Sequence, residues 1–376
     1  MMERNKKKIL HMVEALDTGG LERILATIVL GLDRNQFDVR VWCLARGGQI
    51  ADELLQHGVA VEVLGISSYH HPARIFALAR LMWKEGFHVV HTHGYFAGTL
   101  GRLAALLSGS CVLIHHVHST YHEYHRRHRC IEKILSCFTY RVVCVSEAVR
   151  DFVMTREGIR REKTCVVPNG SPGDLPADTQ ADIGMERQFL GIGNQEQVIV
   201  TVASLTPNKG HGILLDAIGP VMEKTPDVRL LIVGDGPLRE KLTEKARALG
   251  VSPRVIWAGL RKDVFRLLRL SDLFVLPSLY REGLSLAVIE AMAAGLPVVC
   301  TNLSGMSELV RHPESGLLVP PGDAAELSGA ISSLLGDRSR RKQMGRNGRE
   351  IYERNFTSER MIRRIEGIYD QCLRTG

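Results

Sequence analysis

The chain has 376 residues, more than one hydrophobic core usually serves, and is 45% hydrophobic and 24% charged, which excludes a disordered or fibrous protein and points to two domains. Its net charge of +7 is compatible with nucleic acid, an anionic membrane or phosphorylated substrates and does not choose among them. No apolar run reaches the roughly 18 residues a spanning helix needs, and the eight cysteines include no Cys-x-x-Cys pair. A cytoplasmic protein with reduced, mostly buried thiols is expected.

The N-terminal stretch MMERNKKKILHMVEALDTGG has a basic head, but His11 and Glu14 interrupt the apolar segment too early for a secretory signal. KKILHMVEAL, VRVWCLA, HVVHTH, CVLIHHVH, YRVVCVS and KTCVVPNG are short β-branched runs separated by stretches of helical periodicity. This alternation predicts a parallel sheet covered by helices on both faces, because parallel strands need long crossovers. PNGSPGDLPADTQADIG then breaks the pattern and reads as a linker. The rhythm resumes with QVIVTVASL, VRLLIVGDG, RVIWAGL, LFVLPS and LPVVCT, and the sequence is helical and charged from about residue 323 onward. KKILHMVEALDTGGLERILATIV and QVIVTVASLTPNKGHGILLDAI echo each other as strand, glycine-containing loop and helix.

In open α/β sheets ligands bind at the carboxyl ends of strands, so the loops there are the places to look. TPNKG offers Lys209 as a point charge and Gly210 as a point of close backbone approach, which suits an anion. The turn in VGDGPLREKL is as readily structural as functional. REGLSLAVIEAMAAGLPVV carries Glu282 and Glu290 eight positions apart. On one helix they would lie about 12 Å apart along its axis, beyond the roughly 5–9.5 Å of a glycoside hydrolase pair. Instead, Glu290 falls within a short helix ended by Gly295 and Pro297, and Glu282 and Gly283 fall in the turn before it. The helix mouth would then present amides at Leu284, Ser285 and Leu286 to an anion, with a carboxylate on either side for sugar hydroxyls. A sugar nucleotide has these groups.

VASLTPNKG, VGDGP, PSLYREGLSLAVIEAMAAGLPVV, SGMSELV and ESGLLVPPGD, in this order and spacing, resemble the family 4 type of retaining glycosyltransferases with the GT-B fold. DTGGLE, HTHG, HHVHST, VVCVSEAV and VVPNGS extend the resemblance over nearly the whole chain, and relatives assemble bacterial cell-surface polysaccharides. It implies an α/β architecture of two facing Rossmann-like domains with an interdomain cleft: an acceptor-side domain over 1–180, a nucleotide-sugar domain over 181–356, and a helix over 357–376 returning to the first. It implies that Glu290 binds the ribose, that Glu282 lies by the donor sugar, and that Gly283, Leu284, Ser285 and Leu286 bind sugar and diphosphate. Lys209, beside Gly210, neutralises the leaving diphosphate, Gly20 belongs to the loop that closes over it, and His118 lies near the sugar. The implied mechanism has no protein nucleophile, and the departing phosphate takes the acceptor's proton on the same face. Ser204 stands where many relatives carry an arginine and can donate a hydrogen bond but no charge, so the leaving group either finds positive charge elsewhere, with Arg281 and Arg261 as candidates, or relies on Lys209 and the amides.

Thirteen of the fifteen histidines precede residue 129. His118, His122 and His125 share the spacing of a helix face, but no carboxylate or thiol completes a ligand set, so a solvated or acceptor-facing segment is expected and no metal site. His93 is an acceptor-side candidate, and His91 is expected on the alternate face as a structural residue. The basic runs at 6–8 and at Arg126, Arg127, Arg129 and Lys133 would attract an anionic leaflet at about 1 kcal/mol per charge. The expected partners are thus a nucleotide sugar, a saccharide or lipid-linked acceptor and an anionic membrane surface, without nucleic acid and without an obligatory cofactor. A nucleotide-sugar epimerase, a sugar phosphorylase and a non-catalytic sugar-nucleotide scaffold are the rival readings.

Overall fold

The computed structural model describes residues 6–66, 72–109, 111–120, 125–173 and 179–375. The chain forms two compact units, one of Met1–Gly170 with Ser358–Gly376 and one of Ser171–Thr357. The first holds β1 (Lys7–Ala15), β2 (Phe37–Arg46), β3 (Ala60–Val63), β4 (Val89–His93), β5 (Val112–Val117), β6 (Arg141–Cys144) and β7 (Thr164–Val166), in the order β3-β2-β1-β4-β5-β6-β7. The second holds β8 (Gln197–Val202), β9 (Val228–Val233), β10 (Val255–Gly259), β11 (Leu273–Leu276), β12 (Val298–Thr301) and β13 (Gly316–Val319), ordered β10-β9-β8-β11-β12-β13. Every neighbouring pair is parallel.

Helices cover both faces of each sheet, so the central strands are buried on both sides and read as unbroken apolar runs such as Val198, Ile199 and Val200. Each such side chain contributes about 1.5–3 kcal/mol of burial. Two strands were not anticipated. β3 and β13 are four-residue edge strands; three of the four β3 residues are exposed, so β3 lacks the apolar signal of the central strands, whereas β13 is apolar and mostly buried but only four residues long.

Both orders reverse at the same place, between β1 and β4 in one unit and β8 and β11 in the other. There successive crossovers leave toward opposite faces and open a crevice at the strands' carboxyl ends. The echoing segments supply the central strand beside each crevice.

The unit boundary lies at Gly170 and Ser171 rather than at 180/181. Ser171 bridges to Thr357, its amide donates to the Phe356 carbonyl, and its own carbonyl accepts from the Tyr352 hydroxyl, which ties this stretch to the second unit. The helix Ser358–Thr375 belongs to the first unit and buries Met361, Ile365, Tyr369 and Cys372. A Cβ on Gly31 would come within 2.2 Å of Ile362, so glycine permits the close approach of helix Gly20–Gly31. All eight cysteines are free thiols; Cys43, Cys144, Cys300 and Cys372 are buried, and Cys130 and Cys137 are exposed.

Candidate active site

In the second unit the loop after β8 and the loop after β11 meet at the order reversal. The first runs through a short 3-10 turn, Pro207–Lys209, into helix His211–Lys224. Gly210 joins them at φ +69°, and a Cβ there would lie 1.9 Å from the Pro277 carbonyl oxygen, so only glycine allows the contact. The Leu279 amide donates to the Asn208 carbonyl at 2.7 Å and locks the loops together.

This contact brings Lys209 to Glu282. The Lys209 ammonium donates to Glu282 Oε1 at 2.5 Å, and the Ser278 hydroxyl donates to the same oxygen at 2.6 Å. Glu282 is 4% exposed and Ser278 fully buried, with the Ser278 carbonyl accepting from Thr301 Oγ1 at 2.6 Å. Arg281 adopts φ +61°, rare outside glycine, where the chain turns back to set Glu282 over Ser278. Ser278 escaped the sequence reading, since a serine four residues ahead of a glutamate carries no distinct signal.

The helix after this turn is Leu286–Ala293, with Ser285 as its N-cap and Glu290 in its interior. The Ser285 hydroxyl accepts from the Val288 amide, and the Ile289 amide donates to the Ser285 carbonyl. Of the expected amides, those of the N-cap Ser285 and of Leu286 stand at the helix start, and that of Leu284 precedes it. Leu286 and Ala287 form the open first turn, while Gly283, Leu284 and Ser285 are buried loop ahead of it.

Ser204 is exposed and shares a hydrogen bond with Thr206 Oγ1 at 3.1 Å. Arg261 does not supply spare charge. Its guanidinium is held by both Asp263 oxygens at 2.7 and 2.6 Å and by Glu186 at 2.8 Å, contacts that push its pKa up. In the VGDG turn, Cβ atoms on Gly234 and Gly236 would lie 2.0 and 2.8 Å from the Ala203 and Leu205 carbonyl oxygens, so these glycines have a packing reason.

In the first unit Gly20 begins helix Gly20–Gly31 after β1, is exposed, and has no atom within 4 Å of where a Cβ would stand. His93 ends β4, and His118 follows β5, half-buried. The strand pairing sets His11 beside His91 and His93 beside His116. His91 lies on the same face as His93, its ring stacked on it at 4.5 Å, which corrects the alternate-face expectation: residues i and i+2 of a strand share a face. His122 falls outside the described residues.

These imidazoles form one hydrogen-bonded chain. His118 Nε2 lies 3.1 Å from His93 Nδ1, and His93 Nε2 lies 3.0 Å from His11 Nδ1. The Tyr369 hydroxyl, delivered by the C-terminal helix, sits 3.1 Å from His11 Nε2 and 2.7 Å from His91 Nδ1. Burial lowers the pKa of His11 and His118 to about 3 and holds His91, His93 and His116 well below the usual imidazole value, so all are neutral. On the opposite face His115 meets Thr92 at 3.0 Å and lies near Glu132, which forms a buried bidentate pair with Arg102.

Residues 18–172 match the family described as Glycosyltransferase Family 4, and residues 182–351 match Glycosyl transferases group 1. The UDP-Gal:alpha-D-GlcNAc-diphosphoundecaprenol alpha-1,3-galactosyltransferase of Escherichia coli is 28% identical over 379 residues, 97% of each chain. A putative glycosyltransferase of Bacillus subtilis, EpsF, is 28% identical over 80% of each. Among solved structures, Anabaena Alr3699/HepE in complex with UDP and glucose superimposes with a TM-score of 0.88 at 25% identity, covering 97% of this chain and 99% of that one.

Proposed function

The chain belongs to the family 4 glycosyltransferases of the GT-B fold, and from that premise we propose that it moves a hexose from a uridine diphosphate sugar to a lipid-linked saccharide with retention of anomeric configuration. The observation that carries the donor assignment is the second unit's Lys209, anchored on the buried Glu282 beside the open first turn of helix Leu286–Ala293. Charge, amides and carboxylate then stand at the crevice where an α/β sheet binds nucleotides. The uridine donor and the lipid-linked acceptor follow the printed substrate of the Escherichia coli relative and the UDP held by Alr3699/HepE.

In this reading Lys209 stabilises negative charge growing on the leaving diphosphate, and the Leu286 and Ala287 amides add helix-terminal dipoles. Glu282 fixes Lys209 and reaches the donor sugar, and Glu290 takes the ribose. His118 and His93 face the acceptor side. The leaving phosphate oxygen accepts the proton of the attacking hydroxyl as the new glycosidic bond forms on the face the phosphate leaves.

A lipid-linked acceptor brings the enzyme to the inner face of the cytoplasmic membrane. Helix Arg126–Phe138 suits this, exposing Ile134 and Phe138 at 60% each among Arg126, Arg127 and Lys133. Helix Pro72–Glu85 adds Phe76 and Trp83. Lys8 of the N-terminal run is instead committed to the Glu85 carbonyl at 2.8 Å.

A panel of uridine, guanosine and adenosine diphosphate sugars tests the donor by thermal shift, since a ligand of the native state raises its melting temperature. A uridine sugar should stabilise the protein and give an α-linked product by NMR with a diphospholipid-linked acceptor. Stabilisation by none of the panel sinks the donor assignment, and sugar release or epimerisation without acceptor would favour a different reaction.

A further inference from the structure

The roles proposed for His93 and His118 leave His116 and the way these imidazoles are gathered in the first unit unexplained. His116 and His118 are alternate residues running off the end of β5, and His93 is the register partner of His116 on β4. Two imidazoles from one strand and a third from its neighbour is a way for a sheet to present three nitrogens on one face. One ring nitrogen of each lies within 4.8 Å of the others. A tetrahedral ion with metal–nitrogen bonds of about 2.0–2.1 Å spaces its ligands about 3.3 Å apart, so closure needs shifts on the order of 1 Å.

Among the described residues, His116, which has no exposure, meets no hydrogen-bond partner on either ring nitrogen, and His118 Nδ1 is likewise buried and unpartnered. Burying a ring nitrogen without a partner is unfavourable, because it gives up its hydrogen bond to water and gains none. A cation would take up a lone pair on each ring. His93 is already aimed: His11, itself held by the Tyr369 hydroxyl, meets its Nε2, and its Nδ1 faces His118. Such outer hydrogen bonds orient ligating histidines and fix their tautomers.

His11, His91 and His93 also bring ring nitrogens within 4.8 Å of one another, but there the Tyr369 chain occupies both nitrogens of His11, His91 Nδ1 and His93 Nε2, and His91 Nε2 is left unpartnered among the described residues. The rings of His116 and His118 now stack at 4.2 Å and 21°. Because imidazole lone pairs lie in the ring plane, His118 must pivot to ligate, and it sits half-buried at the strand's end. We infer that His93, His116 and His118 form a binding site for one divalent transition-metal ion of the zinc class, with a fourth position open to solvent. Three neutral nitrogens and no carboxylate favour zinc, cobalt or nickel over magnesium or calcium.

The test uses the full chain without an affinity tag, stripped of metal, loaded with zinc chloride or cobalt chloride and desalted. The wild type should retain about one equivalent, and cobalt should give the visible absorption of a tetrahedral site. His116→Phe and His118→Ala should weaken zinc binding by about a hundredfold, measured against a chromophoric chelator. His125→Ala/His128→Ala, on the surface helix, should bind as the wild type does. The inference fails if the folded wild type retains no metal, or if His118→Ala or a folded His116→Phe retains it unchanged. Should His116→Phe not fold by circular dichroism, His118→Ala decides by the same criterion.

Discussion

Replacing Lys209 by alanine separates two roles that the structure gives one ammonium. In the folded protein it neutralises Glu282, a carboxylate 4% exposed whose other partner on the same oxygen is the Ser278 hydroxyl. Removing one member of a buried pair costs about 3–5 kcal/mol, and the 22% exposure of the lysine side chain admits water and lowers this to about 2–3 kcal/mol. For a unit of this size that is a fall in melting temperature of about 5–10 °C. Glu282→Gln in the Lys209→Ala background removes the stranded charge, and the amide still pairs with Ser278, so stability should return to within about 1 kcal/mol of the wild type. Turnover should not return. A charged hydrogen bond to the leaving diphosphate is worth about 1.5–3 kcal/mol, or roughly 10- to 150-fold in rate. Urea unfolding of the four proteins of this cycle gives the coupling energy, and initial rates at saturating donor give the catalytic part. If Lys209→Ala turns over within threefold of the wild type, the lysine does not stabilise the leaving group. If the single variant loses no stability, or the double variant recovers none, the buried-pair argument is wrong.

Gly210→Ala should destabilise the protein by about 2–5 kcal/mol, from the left-handed backbone and the Pro277 carbonyl in the way of the new carbon, seen as a lower urea midpoint. Glu157 is 6% exposed, and burial, with Glu132 adding repulsion, raises its pKa to about 8. Its folded pKa lies above the unfolded one, so the stability it contributes is fully present below about pH 4.5 and is lost as pH rises through about 8. Glu157→Gln should therefore raise the melting temperature at pH 8 more than at pH 5, and an equal change at both would refute this. Ile134→Glu with Phe138→Glu should reduce cosedimentation with anionic vesicles by several-fold while leaving the thermal melt unchanged, since both side chains are 60% exposed.

The sequence by itself determined the alternation of strand and helix, the two parallel sheets and the places of the Lys209 and Glu282 loops after their strands, because each rests on short-range signals. Buried strands are apolar runs, glycines mark turns, and Glu282 and Glu290 bracket the N-terminus of a helix whose start and stop residues are local. It misjudged Arg261, because nothing near it in sequence shows that Glu186 will close on its guanidinium across 75 positions. Tertiary structure alone set the strand order, which places the Lys209 loop beside the Glu282 loop although 73 residues separate them. It also assembled the histidine chain, joining β1, β4 and β5 to a phenol 358 residues from His11. Periodicity says which face of a strand a residue occupies, but only the packing of crossovers and a returning helix says which faces meet.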